Sequence, residues 1–229
     1  MGPSSTAGLN VQAVIPQLSG DATTQTPPDL PSYLFKERIV YLGMSLVPSV
    51  TELLLAEFLY LQYENSTAPI YMYINSAGVQ KGGDKLGYES EAFAIYDTLR
   101  SITPPVYTLC IGNAFGEAAM LLAAGAKGKR AALPSTSIML RQPYQRFTQM
   151  QASDIDIYRN EIRKAKGQVI KILSRHTGHT PPEVEKDIVR TRYFDPYEAV
   201  DYGIIDRVME PADPALKIAA QKASMRTFS

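Results

Sequence analysis

Few side chains in this sequence are suited to nucleophilic or acid–base chemistry. The 229 residues contain one cysteine, Cys110, and two histidines, His176 and His179. Cys110 lies inside the apolar run 106–111, where a free cysteine packs as a small hydrophobic residue. The histidines have a spacing that would suit two metal ligands, but no acidic or cysteine residue nearby completes a site. We therefore expect Cys110 in the core and both histidines at a helix end, where they complement the dipole.

A glycine-rich segment at 77–87, AGVQKGGDKLG, separates a predicted strand from a predicted helix and is a candidate phosphate-binding loop. A P-loop needs lysine directly after its last glycine, and then serine or threonine for the metal. Here Asp84, Lys85 and Leu86 follow Gly83, so the sequence favours a flexible loop over a phosphate site.

A second segment, NAFGE at 113–117, follows a buried strand and opens a predicted helix. Main-chain N–H groups and the helix dipole favour negative charge at such a point. A serine hydrolase places its nucleophile on a tight turn of this kind. This chain has Gly116 there, which offers no nucleophilic atom.

The overall composition excludes several classes of protein. Of the residues 45% are hydrophobic and 20% charged, and 23 Lys+Arg balance 23 Asp+Glu, so no basic footprint for nucleic acid is expected. One cysteine excludes an intramolecular disulfide framework. No run reaches the ~18 apolar residues of a membrane span. The absence of Lys and Arg before Lys36 argues against a basic targeting segment in the chain as given.

Predicted strands and helices alternate along the chain. Residues 1–32 are polar and rich in proline, which predicts an extended N-terminal arm. Hydrophobic periodicity predicts strands at 38–42, 70–75, 106–111 and 137–140, and helices at 50–63, 88–100, 116–126, 152–176, 181–190 and 196–202. This order is typical of one mostly parallel α/β domain, placed at 33–210 and followed by a tail at 211–229.

Between residues 34 and 209 the chain resembles a core subunit of the Clp protease family. Matching segments in order include FKERIV at 35–40, YINS at 73–76, LAAGAKGKR at 122–130, QP at 142–143, HTG at 176–178 and EAVDYG at 198–203. The resemblance implies an α/β fold of the ClpP/crotonase-like type. It has a head of βαβ units and a protruding strand-helix handle, here near 141–177. It implies no metal and no cofactor.

The sequence departs from the family pattern at the positions of the catalytic residues. Active ClpP subunits carry the nucleophilic serine in a segment like GQAASMG, and the corresponding GNAFGEA at 112–118 has Gly116. The general base in IMIHQP becomes Arg141 in IMLRQP, and the orienting aspartate becomes Thr191. Arginine stays protonated and threonine supplies no carboxylate. The resemblance thus implies a degenerate triad with no catalytic residue.

The oxyanion region also departs from the family. Its SPGG turn becomes SAGV at 76–79, followed by an insertion that we expect to disturb the region of Gly78, Val79 and Glu117. This combination resembles ClpR subunits, the inactive ClpP paralogues of plastids and cyanobacteria. PDLPSY at 28–33 and YLGMSLVP at 41–48 are similar to a plastid ClpR. The implied location is the chloroplast stroma, with the cyanobacterial cytoplasm as the alternative.

The resemblance also implies partners. ClpP-type and ClpR-type chains form heptameric rings that stack through their handles around a proteolytic chamber. Family positions of the contact between rings are occupied by Arg190 and by the handle residues Ile155, Tyr158 and Ile162. These handle residues begin an apolar stripe that continues to Val169 and Ile172. The alternatives are a solvated Arg190 and a stripe that packs inside its own subunit.

Unfolded protein substrates reach such a chamber from an Hsp100-type AAA+ Clp chaperone. Tyr71 and Tyr73 match positions that line the chaperone-docking cleft, and Ser101 stands where many ClpP subunits carry an aromatic residue. Loss of that ring would weaken an apolar anchor. The alternative is that the two tyrosines merely cap a strand.

We interpret the chain as a catalytically inactive structural subunit of a heteromeric tetradecameric Clp protease core, needed for ring assembly and chamber formation. An alternative is an active serine peptidase using Ser76 or Ser90 with Lys81 or Lys85, although exposed lysines are normally protonated. Another is a crotonase-like acyl-CoA enzyme using Glu117 as acid or base. A glutamate at a helix N-terminus also complements the dipole without any such role.

Overall fold

The computed structural model describes residues 30–81, 84–85, 87–144 and 151–210. Within them the helices are α1 (Leu30–Lys36), α2 (Pro48–Glu64), α3 (Glu89–Ser101), α4 (Glu117–Ala123), α5 (Ala152–Thr177), α6 (Pro181–Ile188) and α7 (Pro196–Asp201). The strands are β1 (Ile39–Leu42), β2 (Ile70–Ser76), β3 (Gln80–Lys81), β4 (Asp84–Lys85), β5 (Val106–Phe115), β6 (Arg130–Ala132), β7 (Ser137–Leu140), β8 (Arg192–Phe194) and β9 (Arg207–Val208).

One sheet is organised around the long strand β5. Strands β1, β2, β5, β6 and β9 lie side by side in this order, and all these neighbours pair in parallel. The first half of β5 pairs with β6, and its second half pairs with β7, again in parallel. Strand β8 extends the sheet by pairing antiparallel with β7. Parallel strands connected by helices confirm the predicted α/β class.

Helix α4 lies at the centre of the packed core. All of its residues, from Glu117 to Ala123, are buried. Its alanines allow close packing, and the helix contacts β5, β7, α3 and α5. The turn that leads from β5 into α4 is therefore buried as well, which places residue 116 inside the molecule rather than on its surface.

Several elements differ from those predicted. The segment 77–87, predicted as a flexible loop, contains the antiparallel pair β3–β4. Strand β5 continues beyond its predicted end at 111 because residues 113–115 pair with β7. Strands β6, β8 and β9 have two or three residues each, which is too short for an alternating pattern to reveal.

The N-terminal arm predicted at 1–32 lies outside the described residues except at 30–32, which belong to α1. The predicted boundary at 32 therefore falls inside a helix. Pro31 does not prevent this, because proline is tolerated in the first turn, where its missing N–H would have no helical partner. The tail at 211–229 and residues 145–150 of the predicted handle also lie outside the described part.

Helix α5 has two parts that differ in burial. Its buried residues are Val169, Ile170, Ile172 and Leu173, all near its C-terminal end, where it packs against α4 and α6. The prediction that Val169 and Ile172 belong to an external stripe is therefore wrong. The earlier residues Ile155 and Ile162 are only half-buried, and Tyr158 is 43% exposed. Across the described residues no helix is long and apolar enough to cross a bilayer.

Candidate functional site

The candidate site is built around the turn between β5 and α4. Gly116 forms this turn with φ +57° and ψ −113°, a conformation that residues with a side chain rarely adopt. Its N–H donates a hydrogen bond to the Met139 carbonyl oxygen at 2.7 Å. Its own carbonyl oxygen accepts one from the Met120 N–H at 3.2 Å. The turn is therefore fixed to β7 on one side and to α4 on the other.

Arg141 follows β7 and fills the space beside Gly116. A Cβ added at residue 116 would lie 2.9 Å from Arg141 Nε and 3.4 Å from its Cζ. The guanidinium donates through Nη1 to Gln80 Oε1 and through Nη2 to the Ala77 carbonyl oxygen, the latter at 3.3 Å. Arg141 thus connects the end of β7 to the segment between β2 and β3, and it crowds any side chain at residue 116.

Glu117 begins α4, and its side chain is only 3% exposed. Oε2 accepts a hydrogen bond from the Val79 N–H at 3.3 Å and lies 3.8 Å from Arg141 Nη2. The main-chain N–H of Glu117 also favours the charged carboxylate and thereby lowers its pKa. Burial raises the pKa of Glu117, and these N–H groups and Arg141 oppose that effect. The Val79 N–H therefore binds the carboxylate at the start of α4, so the turn after β2 contacts α4 at this point.

Gly78 makes this contact possible. A Cβ at residue 78 would lie 2.5 Å from Glu117 Oε2 and 2.7 Å from the Phe115 carbonyl oxygen. Its φ of +73° also favours glycine. Glycine is thus required both by the backbone and by the close approach of the carboxylate.

A cavity of about 300 Å³ opens beside Arg141. It is lined by Gln80, Arg141, Gln142, Tyr144, Ile188, Val189 and Thr191. The structure thus brings Arg141 and Thr191 to one cavity and places Gly116 against Arg141. Among the described residues no imidazole or thiol lines this cavity, and a guanidinium cannot accept a proton at neutral pH.

Cys110 and the histidines lie away from this cavity. Cys110 is completely buried, and burial raises the pKa of its thiol to about 11, so the nucleophilic thiolate is not formed at neutral pH. His176 lies in the last turn of α5, as predicted, with Nε2 at 3.1 Å from the Tyr96 hydroxyl. His179 lies just after α5, with its ring centroid 4.2 Å from that of Tyr202. Within the described residues no cluster of three or more His, Cys, Asp or Glu is arranged to hold a metal.

The serine residues considered as alternative nucleophiles differ in their surroundings. Ser76 is buried, and its hydroxyl donates to the Met44 carbonyl oxygen at 2.7 Å and accepts from the Gly78 N–H at 3.1 Å. Ser90 lies exposed on the first turn of α3. Lys81 and Lys85 lie in β3 and β4, and their side chains are outside the described part. Ser76 is therefore held as a structural hydroxyl.

The residues matched to chaperone docking lie on β2 and α3. Tyr71 and Tyr73 point to the same face of the sheet because they are two residues apart in β2. Tyr71 is 38% exposed, and its ring packs edge-on against Tyr107 with centroids 5.5 Å apart. Ser101 ends α3, and its hydroxyl donates to the Thr98 carbonyl oxygen at 2.9 Å. Arg190 is exposed between α6 and β8.

A parallel sheet with a glycine turn into a buried helix, followed by a long helix with an apolar side, defines a mixed α/β fold of the ClpP/crotonase type. The chain belongs to the Clp protease family, because the family model described as Clp protease matches residues 23–212.

Individual relatives agree with this assignment. The chain is 61% identical over 199 residues to the ATP-dependent Clp protease proteolytic subunit-related protein 4, chloroplastic, of Arabidopsis thaliana, a match that covers 87% of this chain and 65% of that protein. It is 48% identical over 213 residues to a putative ATP-dependent Clp protease proteolytic subunit-like protein of Synechococcus elongatus, covering 88% and 93% respectively. The predicted relationship to ClpR-type subunits is confirmed.

Proposed function

We propose that this chain is a catalytically inactive structural subunit of a heteromeric tetradecameric Clp protease core. The observation that carries the proposal is the contact between residues 116 and 141. The positions matched to the triad hold Gly116, Arg141 and Thr191, which supply no nucleophile, no base and no carboxylate. Arg141 also occupies space that a serine side chain at residue 116 would need, since Nε lies 2.9 Å from an added Cβ.

An assembly role is supported by two exposed apolar surfaces. One lies on α2, where Leu53, Tyr60 and Tyr63 are each more than half exposed. The other lies on the first part of α5, where Tyr158 is 43% exposed and Ile155 and Ile162 are half-buried. A subunit in stacked heptameric rings contacts its two ring neighbours through two different faces and the opposite ring through a third, and exposed apolar surfaces favour such contacts. We assign the α5 surface, with Arg190, to the contact between rings.

The proposed partners are ClpP-type and other ClpR-type chains, with unfolded protein delivered by an Hsp100-type AAA+ Clp chaperone. Tyr71, which is 38% exposed, and the half-buried Tyr73 on the same face of β2 support a place in the docking cleft, whereas the small Ser101 would provide a weaker anchor than an aromatic ring. Several relatives are named chloroplastic, which supports a location in the plastid stroma over the cyanobacterial cytoplasm.

The surroundings of Glu117 and Ser76 disfavour the two enzymatic alternatives. An acid or base for acyl-CoA chemistry must reach its substrate, but the Glu117 carboxylate is buried and bonded to the Val79 N–H at 3.3 Å. The Ser76 hydroxyl donates to the Met44 carbonyl oxygen, which cannot act as a base. Neither group is placed to attack or protonate a substrate.

The test is labelling of the native complex with a serine-directed fluorophosphonate, followed by identification of the labelled peptides. We expect co-purified ClpP-type chains to be labelled, which provides the internal positive control, and this chain to stay unlabelled. Labelling of this chain at Ser76 or Ser90, or its recovery as a monomer that binds acyl-CoA, would contradict the proposal.

A further inference from the structure

We propose that the Glu117 carboxylate permanently occupies the anion site formed by the main-chain N–H groups of residues 79 and 117, and that with Arg141 it fastens the inserted segment there. This inference rests on the proposed function, because it assigns these N–H groups to the oxyanion position of an inactive family member. Beyond the proposed function, it states that a side chain of the protein itself, Glu117, blocks the anion site, whether or not the triad groups are present.

The two donors are those that a serine hydrolase of this topology would use. An oxyanion is bound by the N–H of the residue after the nucleophile and by a second main-chain N–H from another loop. Residue 117 follows Gly116, and residue 79 belongs to the turn after β2. The Val79 N–H donates to Glu117 Oε2 at 3.3 Å, and the main-chain N–H of Glu117 also favours the charged carboxylate. Since a carboxylate oxygen carries the negative charge that such donors stabilise, neither donor is available to a substrate carbonyl.

The carboxylate is held in this place by its surroundings. A buried carboxylate is costly without a counter-charge, and Arg141 provides one at 3.8 Å, while the buried Glu89 acts in the opposite sense. Gly78 leaves the necessary space, because any Cβ there would meet Glu117 Oε2. Arg141 at the base position and Glu117 after the nucleophile position are thus coupled, because each lowers the free-energy cost of burying the charge of the other.

The same pair holds the start of the inserted segment. Arg141 donates to the Ala77 carbonyl oxygen and to the Gln80 side chain, and Glu117 accepts from the Val79 N–H. These contacts fall directly before and within β3, the first strand of the β3–β4 pair. Removing the carboxylate should therefore loosen this pair as well as open the anion site.

The first experiment compares two variants in the assembled complex. Both carry Gly116→Ser, Arg141→His and Thr191→Asp, and only one also carries Glu117→Met. Arg141→His removes the counter-charge, but the Val79 N–H still holds the carboxylate in the variant that keeps Glu117. With fluorophosphonate, the serine oxygen displaces fluoride from phosphorus, its proton passes to the histidine, and the phosphoryl oxygen needs the N–H donors. We expect at least about tenfold faster labelling at residue 116 when the carboxylate is absent. Equal labelling in both, or none in either although both assemble, would overturn the inference.

The second experiment uses single substitutions, which keep the inference testable if the combined variants do not assemble. A lysine-specific protease reports opening of β3–β4 through cleavage after Lys81 and Lys85. Glu117→Met should be cleaved at least about threefold faster than the parent, because local opening sets the rate. Glu117→Gln should change less, since its amide oxygen can still accept from the Val79 N–H.

The matched control is Glu185→Gln, which breaks the ion pair with Lys166 at 2.8 Å without touching this site, and it should leave the cleavage unchanged. Unchanged cleavage in Glu117→Met would overturn the inference. Labelling of the unsubstituted chain would instead contradict the proposed function, so the two failures are distinguishable.

Discussion

Both the backbone at residue 116, with its positive φ, and the neighbouring Arg141 side chain disfavour a side chain at this position. We predict that Gly116→Ser alone restores no peptide hydrolysis, because neither Arg141 nor Thr191 can act in the triad and triad members act as a unit. It should also lower the free energy of unfolding by about 1–3 kcal/mol through backbone strain, with a further cost from the contact with Arg141. Peptidase assays and urea unfolding provide the measurements.

Gly128→Ser is the matched control for that substitution. Gly128 has φ +81°, but nothing lies within 4 Å of an added Cβ. The Gly128→Ser substitution therefore imposes backbone strain without crowding. Residue 116 should therefore tolerate serine less well than residue 128. Equal losses of stability would show that Arg141 moves aside at little cost, and hydrolysis near that of an active family member would show that the triad assignment is wrong.

A second prediction at the residue scale concerns the effect of His176 on the free energy of unfolding at acidic pH. Burial, with Arg100, Arg130 and Arg175, lowers its pKa from 6.5 to about 4. The unfolded chain therefore binds a proton at a higher pH than the folded chain does. The free energy of unfolding should fall as the pH decreases from 6.5 to about 4. This fall, about 1–2 kcal/mol after allowance for solvent screening, should largely disappear in His176→Gln. Denaturant titrations at pH 7, 6 and 5 test it, and identical pH profiles for both proteins would contradict it.

At the scale of elements, a single guanidinium connects the ends of several helices. Arg130 donates through Nη1 to the carbonyl oxygens of Ala123, His176 and Gly203, near the C-terminal ends of α4, α5 and α7. It also forms a salt bridge with Asp206 at 2.6 Å. Burial alone would raise the pKa of Asp206, but the hydrogen bonds from Arg130 hold it below the usual carboxyl range.

We predict that Arg130→Met lowers the free energy of unfolding by about 3–5 kcal/mol, because it leaves a largely buried carboxylate and several carbonyl groups without their partner. Lys164→Met is the matched control, since it removes an exposed pair with Glu161 and should cost about 0–1 kcal/mol. Thermal or denaturant unfolding distinguishes them. Similar losses for the two variants would show that Arg130 does not join these helices energetically.

The longer elements were predictable because their hydrophobic patterns extend over many residues. The strand at 137–140 and the start of the long helix at residue 152 agree with the structure to the residue. The end of β5 was missed because Asn113 breaks the apolar run, although residues 113–115 still pair with β7. Strand β6 has the sequence Arg-Ala-Ala, which favours no strand by itself and is fixed by pairing with β5.

The side chains of the site were predictable only in part. Family segments assigned Gly116, Arg141 and Thr191, whereas no motif indicated Gln80, which binds the Arg141 guanidinium. The sequence is compatible with Glu117 as a dipole partner or as an acid, but its contact with the Val79 N–H depends on how the turn after β2 folds over α4. Such contacts join residues far apart in sequence, and no local pattern encodes them.

At the scale of the whole molecule, the two ends of α5 differ in how far the described residues bury their apolar side chains. The buried end includes Val169 and Ile172, whereas at the other end Tyr158 is 43% exposed and Ile155 and Ile162 are half-buried. Stability of the subunit and stability of the assembly should therefore depend on different parts of one helix. This separation allows the two roles to be tested by substitutions a few residues apart.

We predict that Ile162→Asp shifts the complex toward single rings or smaller species and leaves the subunit folded. Burying an isoleucine side chain contributes about 1.5–3 kcal/mol, and a charge adds a desolvation cost. In the proposed assembly this contact repeats around the stacked rings, so a modest change in each subunit should displace the whole oligomer equilibrium. Gln168→Asp places the same charge at an exposed position of α5, outside the apolar stripe, and should leave the assembly intact. Size-exclusion chromatography with circular dichroism distinguishes the outcomes: loss of the large species with retained helix supports the handle contact, whereas unfolding or an unchanged size contradicts it.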